Sequence, residues 1–253
     1  MRNLFRRALP LVSGEAAQEA APDLWVRCGR CREMLYAREW EAAHRVCTKC
    51  GYHARLTVAD RVALLLDEGS WQELDGNLRA TDPLGFAPPG RPSYAEKLVT
   101  ETRDSGQNEA AAYGRGTLDG IPVALAILDM GYFAGTLGAV VGEKVARAFE
   151  LGVAERRAVI VVSASGGARQ QEGVVALLQM AKLAAAAQAL ASARVPFISI
   201  LTDPTLGGVT ASFATLGDCI IAEPGAVIGF AGPRIIEQTT GRSDEHTSEL
   251  QSH

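Results

Sequence analysis

The sequence predicts an α/β fold in which helices cover a sheet. Three observations carry this. Two short apolar runs, AVIVVSA (158–164) and PFISILTD (196–203), read as buried strands. Each is preceded by a long helical pattern, VVGEKVARAFELGVAERR (140–157) and QEGVVALLQMAKLAAAAQALASA (171–193). Ahead of them GRGTLDGIPVALAILD (114–129) carries Asp119-Gly120 between two apolar stretches, the signal of a β-hairpin. With 253 residues, 47% of them hydrophobic, the chain is long enough to bury a substantial core.

The elements follow in order. Residues 1–24 are Ala-, Glu- and Pro-rich and are expected to be a mobile N-terminus. Residues 25–55 form a compact cysteine-containing unit. TVADRVALLLDEGS (57–70) reads as a helix, with a capping box at Thr57 and Asp60 and a C-terminal cap at Gly69. From Trp71 to Gly114 proline and glycine are frequent, so 56–114 is expected to be a helical and irregular connection with one helix around Tyr94–Asp104. The strand–helix alternation fills 115–241, ending in GGVTASFATLG, CIIAEPGAVIGF and GPRIIEQTT. The last stretch, 242–253, is polar, has no apolar stripe and reads as a non-native or disordered tail.

CGRC (Cys28, Cys31) and CTKC (Cys47, Cys50) give C-x2-C-x15-C-x2-C. Two close pairs of thiolates match tetrahedral zinc in a zinc ribbon, against the alternative of two disulfides. With cysteine at all four positions no place is left for a catalytic water, so one structural Zn2+ is expected. Reduced cysteines suit a cytoplasmic protein, and no apolar run approaches the roughly 20 residues of a membrane helix. Cys219 is expected to be a buried packing residue in an apolar strand.

Net charge is −4, which excludes a protein that binds nucleic acid over its whole surface. The charge is uneven: 11 Lys and Arg against 7 Asp and Glu up to Arg61, then 14 against 22. Arg27, Arg30, Arg32, Arg45, Lys49, His53 and Arg55 make the ribbon basic, either as a phosphate- or nucleic-acid-binding face or as a solvated surface.

Between Ala54 and Glu245 there is no histidine, which excludes a Ser-His-Asp or Cys-His device and a histidine metal site within the body. Neither G-x-x-x-x-G-K-[ST] nor G-x-G-x-x-G is present. What the body has is two glycine pairs, Gly166-Gly167 and Gly207-Gly208, each between a strand and a helix. Such a pair is either a turn alone or a place where successive backbone N–H groups converge at a helix N-terminus to hold an oxyanion.

SASGGAR, LTDPTLGGVTASFA, and GD followed by IAEPGAVIGFAGPRIIEQT, behind the four cysteines, resemble the beta subunit of bacterial acetyl-coenzyme A carboxylase carboxyltransferase, from about Trp25 to Thr239. The resemblance implies a crotonase-like (ClpP-like) ββα-spiral core at 115–241, incomplete at its C-terminus, behind a zinc ribbon. It implies carboxyl transfer from biotin, held covalently by a biotin carboxyl carrier protein, to acetyl-CoA, giving malonyl-CoA, the committed step of fatty acid synthesis. Biotin carboxylase and an alpha subunit are the implied partners, the latter in an α2β2 assembly, with no membrane. Gly207 and Gly208 would form the oxyanion hole. Ser165, Gly166, Gly167, Ala168 and Arg169 would line the coenzyme A side, Arg169 meeting either a phosphate or a carboxylate such as Glu172. GTLGAVVGEK (135–144) would border the cleft, although the family's glycine pair just before it is here Ala134-Gly135. The alternatives are a nucleic-acid-binding ribbon and carboxylation of a longer acyl-CoA such as propionyl-CoA.

Overall fold

The computed structural model describes residues 24–232, together with 236, 237 and 241. The expected mobile N-terminus up to residue 23, the 242–253 tail and most of GPRIIEQTT lie outside the described residues.

Strands β1 (Trp25–Arg27) and β2 (Met34–Tyr36) pair antiparallel, and the short helix α1 (Ala37–Ala42) follows. Cys28, Leu35, Trp40 and Cys47 form the ribbon's small core. Helix α2 (Val58–Leu65) starts at the expected capping box, Thr57 Oγ1 accepting from Asp60 N–H and the Asp60 carboxylate from Thr57 N–H. It ends earlier than its apolar pattern predicts. Asp67 turns away to accept the backbone N–H groups of Asp119 and Gly120, which anchors the tip of the hairpin beyond it.

Among the described residues the main sheet has seven strands: β3 (Gln72–Leu74), β4 (Ala111–Leu118), β5 (Ile121–Leu128), β6 (Ala158–Ser165), β7 (Phe197–Leu206) and β8 (Cys219–Ala222) in spatial order, with β9 (Ile228–Gly229) on the far end of β7. β3 was not anticipated; three residues without alternation leave little signal, and pairing with β4 makes the strand. β4 and β5 form the expected hairpin, Leu118 opposite Ile121, and Asp119 and Gly120 both have positive φ, as a two-residue turn of the primed type requires. β5, β6, β7 and β8 run parallel.

Helices α4 (Ala139–Glu155) and α5 (Val174–Ala193) cover one face, with Val145, Phe149, Leu183 and Leu190 packed on Ala124, Ala126, Val159, Val161 and Phe197. On the other face Leu66 and the α2 side chains Val58, Val62 and Leu65 meet Leu125, Ile127, Ile160 and Val162. Burial on both faces explains why β5 and β6 read as continuous apolar runs. Helix α3 (Tyr94–Ser105) has its own capping box at Ser93 and Glu96 and ends at Gly106.

Two expectations need correction. α5 is 20 residues long and, by length and composition, apolar enough to cross a membrane, so the reading that no run approaches that size is too strict. Here one side of the helix lies on α4, and Lys182 at its middle is ion-paired with Glu143 of α4. Cys219 does lie in a strand, but it is exposed, along with Ile220 and Ile221, because β8 is at the edge of the sheet.

Candidate functional site

The two glycine pairs, 40 residues apart in sequence, meet in space. Parallel strands β6 and β7 lie side by side, so their carboxyl ends, and the turns that follow, come together. The register runs Ser163 opposite Leu201, then Ser165 opposite Thr205; the extra residues on β7 form an irregularity around Asp203-Pro204. A Cβ placed on Gly207 would lie 3.0 Å from Gly167 Cα and 3.8 Å from Ala168 N. Gly207 also has φ of +58°, so glycine is required there both by conformation and by the approach of the second turn.

Gly207 and Gly208 are the first two residues of the short helix α6 (Gly207–Thr210), whose opening N–H groups have no acceptor within the helix. On the opposite wall Leu137 and Ala168 form a single parallel bridge: Leu137 N–H donates to Gly167 O at 2.8 Å, and Arg169 N–H to Leu137 O at 2.9 Å. Since a strand's amides alternate in direction, the N–H of Ala168 points away from Leu137, to the side where Gly207 lies. Gly166 N–H is used by Ala134 O (2.9 Å), and Gly167 N–H by Ser165 Oγ (3.1 Å). The amides facing the space between the turns are therefore those of Ala168 and the first turn of α6. A Cβ at Gly208 would sit 3.3 Å from Met180 Sδ and 3.6 Å from the Ala168 methyl.

The strap 133–138 lies against this wall. Phe133, Ala134 and Gly135 all have positive φ, and a Cβ on Gly135 would fall 2.1 Å from Ala164 O. Alanine at 134 is held in the left-handed region that a glycine would occupy without strain.

Arg169 lies elsewhere than a phosphate contact requires. Its guanidinium is fully buried and all five N–H donors are taken. Nη1 and Nη2 form a bidentate pair with Glu109 (3.0 and 2.6 Å). Nη2 also reaches Thr136 O (3.0 Å), Nη1 Tyr94 O–H (3.3 Å), and Nε Thr136 Oγ1 (3.1 Å). Burial lowers the guanidinium's pKa, but the Glu109 carboxylate outweighs it and holds it above its ordinary value. Of the two roles open in the sequence the carboxylate partner prevails: Glu109 is the main one, and Glu172 is 3.6 Å away. The Arg169 backbone is engaged as well, its N–H donating to Leu137 O and its carbonyl accepting from Glu172 N–H.

A cavity of about 240 Å³ opens at the carboxyl ends of β5, β6 and β7, bounded there by Leu128, Ala164 and Asp203. Its outer wall comes from the segment linking ribbon to core, including His53, Arg55 and Arg61. The body's lack of histidine therefore does not keep an imidazole out of the cavity, because the ribbon delivers one. Sequence patterning cannot register this, since it depends on how the two units dock. Arg61 pairs with Glu223 at 2.6 Å, which ties α2 to the segment after β8, and Arg45 pairs with Asp60 at 2.8 Å, which ties the ribbon to α2 and occupies one of the ribbon's basic side chains.

The four predicted cysteines converge. Their sulfurs all lie within 4.8 Å of one another, with Cys28–Cys50 at 3.7 Å and Cys31–Cys47 at 3.8 Å. No pair is at disulfide distance, and all four are free thiols. A tetrahedral zinc with Zn–S of about 2.3 Å places its sulfurs about 3.8 Å apart, so the residues fit the ion. Burial opposes ionisation of Cys28, but the backbone N–H groups of Cys31 and Arg30 outweigh it and pull its thiol down to about 6. Cys31 has a favourable backbone bond at Glu33, yet burial and the three neighbouring sulfurs push it up to about 12. Four thiolates this close need a cation between them.

This geometry defines a class: an α/β domain carrying a backbone-amide site, behind a cysteine zinc ribbon. The family model for the carboxyl transferase domain matches residues 52–252, and that for the acetyl-CoA carboxylase zinc finger domain residues 25–50. The chain belongs to the family of acetyl-coenzyme A carboxylase carboxyl transferase beta subunits. The protein of that name from Desulforudis audaxviator is 50% identical over 228 residues (90% of this chain, 81% of that one), and that from Desulforamulus reducens 48% over 226 (89% and 77%). Among solved structures, transcarboxylase 12S with hydrolysed methylmalonyl-coenzyme A bound has a TM-score of 0.62 at 26% identity, over 81% of this chain and 36% of that one. The Pseudomonas malonate decarboxylase MdcD-MdcE hetero-dimer has 0.57 at 26%, over 75% and 71%. The crotonase-like core and zinc ribbon expected from the sequence are thus the fold, and the chain is a carboxyl transferase subunit of acetyl-CoA carboxylase with a structural zinc site at Cys28, Cys31, Cys47 and Cys50.

Proposed function

We propose that the space between the two glycine turns receives the acetyl thioester of coenzyme A. The N–H groups of Ala168 and Gly208, with Gly207 shaping the approach, hold the thioester oxygen as it becomes an enolate oxygen. The contact between Gly207 and Gly167 is the observation that carries this reading. One amide comes from an extended segment and the other from the turn that opens α6, so they approach a single oxygen from two sides. Ser165, Gly166 and Gly167 keep the wall thin enough for a pantetheine chain to pass. In place of the expected phosphate contact, Arg169 holds the bridge to Leu137 through its backbone N–H.

Carboxybiotin, presented by a biotin carboxyl carrier protein, would supply the carboxyl group as CO2 on breaking its N–C bond; the ureido nitrogen so freed would take the methyl proton, and the enolate carbon would bond to the CO2. The chain then needs no side-chain base near the amides. Its part is to orient the thioester, exclude water and stabilise negative charge, which fixed amides do without reorganisation. Malonyl-CoA is the product. The chain works in the cytoplasm with an alpha subunit in an α2β2 assembly, carboxybiotin being regenerated by biotin carboxylase. An exposed apolar face of α5, Val174, Leu177 and Leu178 beside Leu84, supports a partner seated next to the site.

The test runs the reaction backwards. Assembled with an alpha subunit, biotinylated carrier and malonyl-CoA, the chain is expected to release acetyl-CoA in a biotin-dependent way. Biotin-independent release, or none, contradicts the proposal. No observation in the structure favours nucleic-acid binding or a longer acyl chain over this reading.

A further inference from the structure

The structure assigns a positioning role to four buried side chains that do not touch substrate: Tyr94, Glu109, Arg169 and Glu172. The assignment rests on the reading of the Ala168 amide as an oxyanion donor, and adds what aims that amide.

The four come from three parts of the chain, Arg169 and Glu172 lying three residues apart, and close around the strap and the loop after β6. Besides its pair with Glu109, Arg169 grips Thr136 at both its carbonyl and its hydroxyl. One Glu172 oxygen accepts the Tyr94 O–H at 2.7 Å; the other accepts the N–H of Ala139, the first residue of α4, at 2.6 Å. There the carboxylate also meets the positive end of a 17-residue helix. Glu109 accepts a further bond from Ala110 N–H at 2.8 Å. The Tyr94 ring lies edge-on to Phe133 with centroids 5.6 Å apart, and Phe133 stacks on the Arg169 guanidinium. Burial pushes the Tyr94 phenol above its ordinary pKa, keeping it a donor.

Stability alone gives no reason for this cluster, because buried ion pairs are commonly matched or exceeded by apolar side chains of the same volume. Its connections supply one. The bridge that turns the Ala168 N–H toward Gly207 consists of Leu137 paired on either side of Ala168. The cluster holds both strands of that bridge: Thr136 and Ala139 lie one and two residues from Leu137, Arg169 is next to Ala168, and Glu172, one turn further on, donates its N–H to Arg169 O at 3.0 Å. Hydrogen bonds weaken steeply as their angle closes, so a small rotation of the bridge misdirects the amide while leaving the fold intact.

Tyr94→Phe removes one hydroxyl and retains the ring packing. Arg169→Lys retains the charge and loses the forked contacts to Glu109 and Thr136. Both are to be measured in the assembled carboxyltransferase, per folded active complex, as malonyl-CoA-to-biotin transfer. The expected result is a fall in kcat of about tenfold for Tyr94→Phe and about a hundredfold for Arg169→Lys, with KM for malonyl-CoA within about twofold of wild type. A kcat equal to wild type in Tyr94→Phe, whatever its melting temperature, overturns the assignment. So does a rise in KM with kcat unchanged. If Arg169→Lys fails to fold, Tyr94→Phe carries the test alone. An assembled wild type without biotin-dependent transfer would remove the underlying reading, and the assignment with it. Transfer in the wild type with kcat unmoved in Tyr94→Phe removes the assignment only.

Discussion

At Gly207 and Gly135 the chain has no alternative to glycine. Gly207 combines positive φ with a neighbouring backbone 3.0 Å from any added Cβ; at Gly135 the corresponding contact is a carbonyl oxygen at 2.1 Å. Gly135→Ala is expected to destabilise the protein by at least about 2 kcal/mol, since neither the strap nor the end of β6 can move without breaking the Gly166–Ala134 hydrogen bond. Chemical denaturation of the variant measures this. Gly208 is different. An added Cβ meets the Met180 sulfur at 3.3 Å, a tight contact that a flexible side chain relieves by a small shift, and the Ala168 methyl at an ordinary 3.6 Å, so a larger residue folds but fills the space between the turns. Gly208→Val is therefore expected to cut kcat/KM about a hundredfold, the scale of a lost oxyanion donor, with little change in melting temperature. Transfer at wild-type rate in this variant would take Gly208 out of the site.

Among the elements, the ribbon and the hairpin anchor behave separately. Cys47 lies in the ribbon's small core and also supplies a sulfur, so Cys47→Ser or chelation is expected to unfold residues 25–55 while the sheet persists. Loss of amide protection confined to the ribbon in hydrogen exchange is the signature; loss across β5 and β6 would contradict it. Asp67 joins α2 to the hairpin, and its bond from Thr117, then those from Gly120 and Asp119, hold its carboxyl below the usual range. A depressed folded pKa contributes stability that is present above the ordinary value near 4 and is lost as pH falls through the folded value. The denaturation midpoint is expected to decline below about pH 4, and less steeply in Asp67→Asn.

The long strands, the long helices and the capping box at Thr57 and Asp60 were legible because burial on both faces, a 3.6-residue period and cap chemistry are local. The cysteine spacing was legible for the same reason, each C-x2-C being a local turn. The end of α2, strand β3, the exposure of Cys219 and the burial of Arg169 were not. Each depends on a partner far along the chain: Asp119 for Asp67, β4 for β3, the sheet edge for Cys219, and Glu109, 60 residues away, for Arg169.

For the molecule as a whole, parallel pairing of β6 and β7 brings two ordinary-looking Gly-Gly turns together, and the end of the ribbon, which is tied to α2 by the Arg45–Asp60 pair, lines the cavity at the carboxyl ends of the strands. The exposed apolar face of α5 marks this unit as part of a larger assembly. The central claim is that backbone amides held between these turns perform carboxyl transfer on a coenzyme A thioester. The most direct test is the rate of acetyl-CoA formation from malonyl-CoA and biotinylated carrier by the chain mixed with an alpha subunit, wild type beside Gly208→Val. The account predicts biotin-dependent turnover in the wild type and a loss of about a hundredfold in the variant. Equal rates in the two, or no biotin-dependent turnover in the wild type, would contradict it.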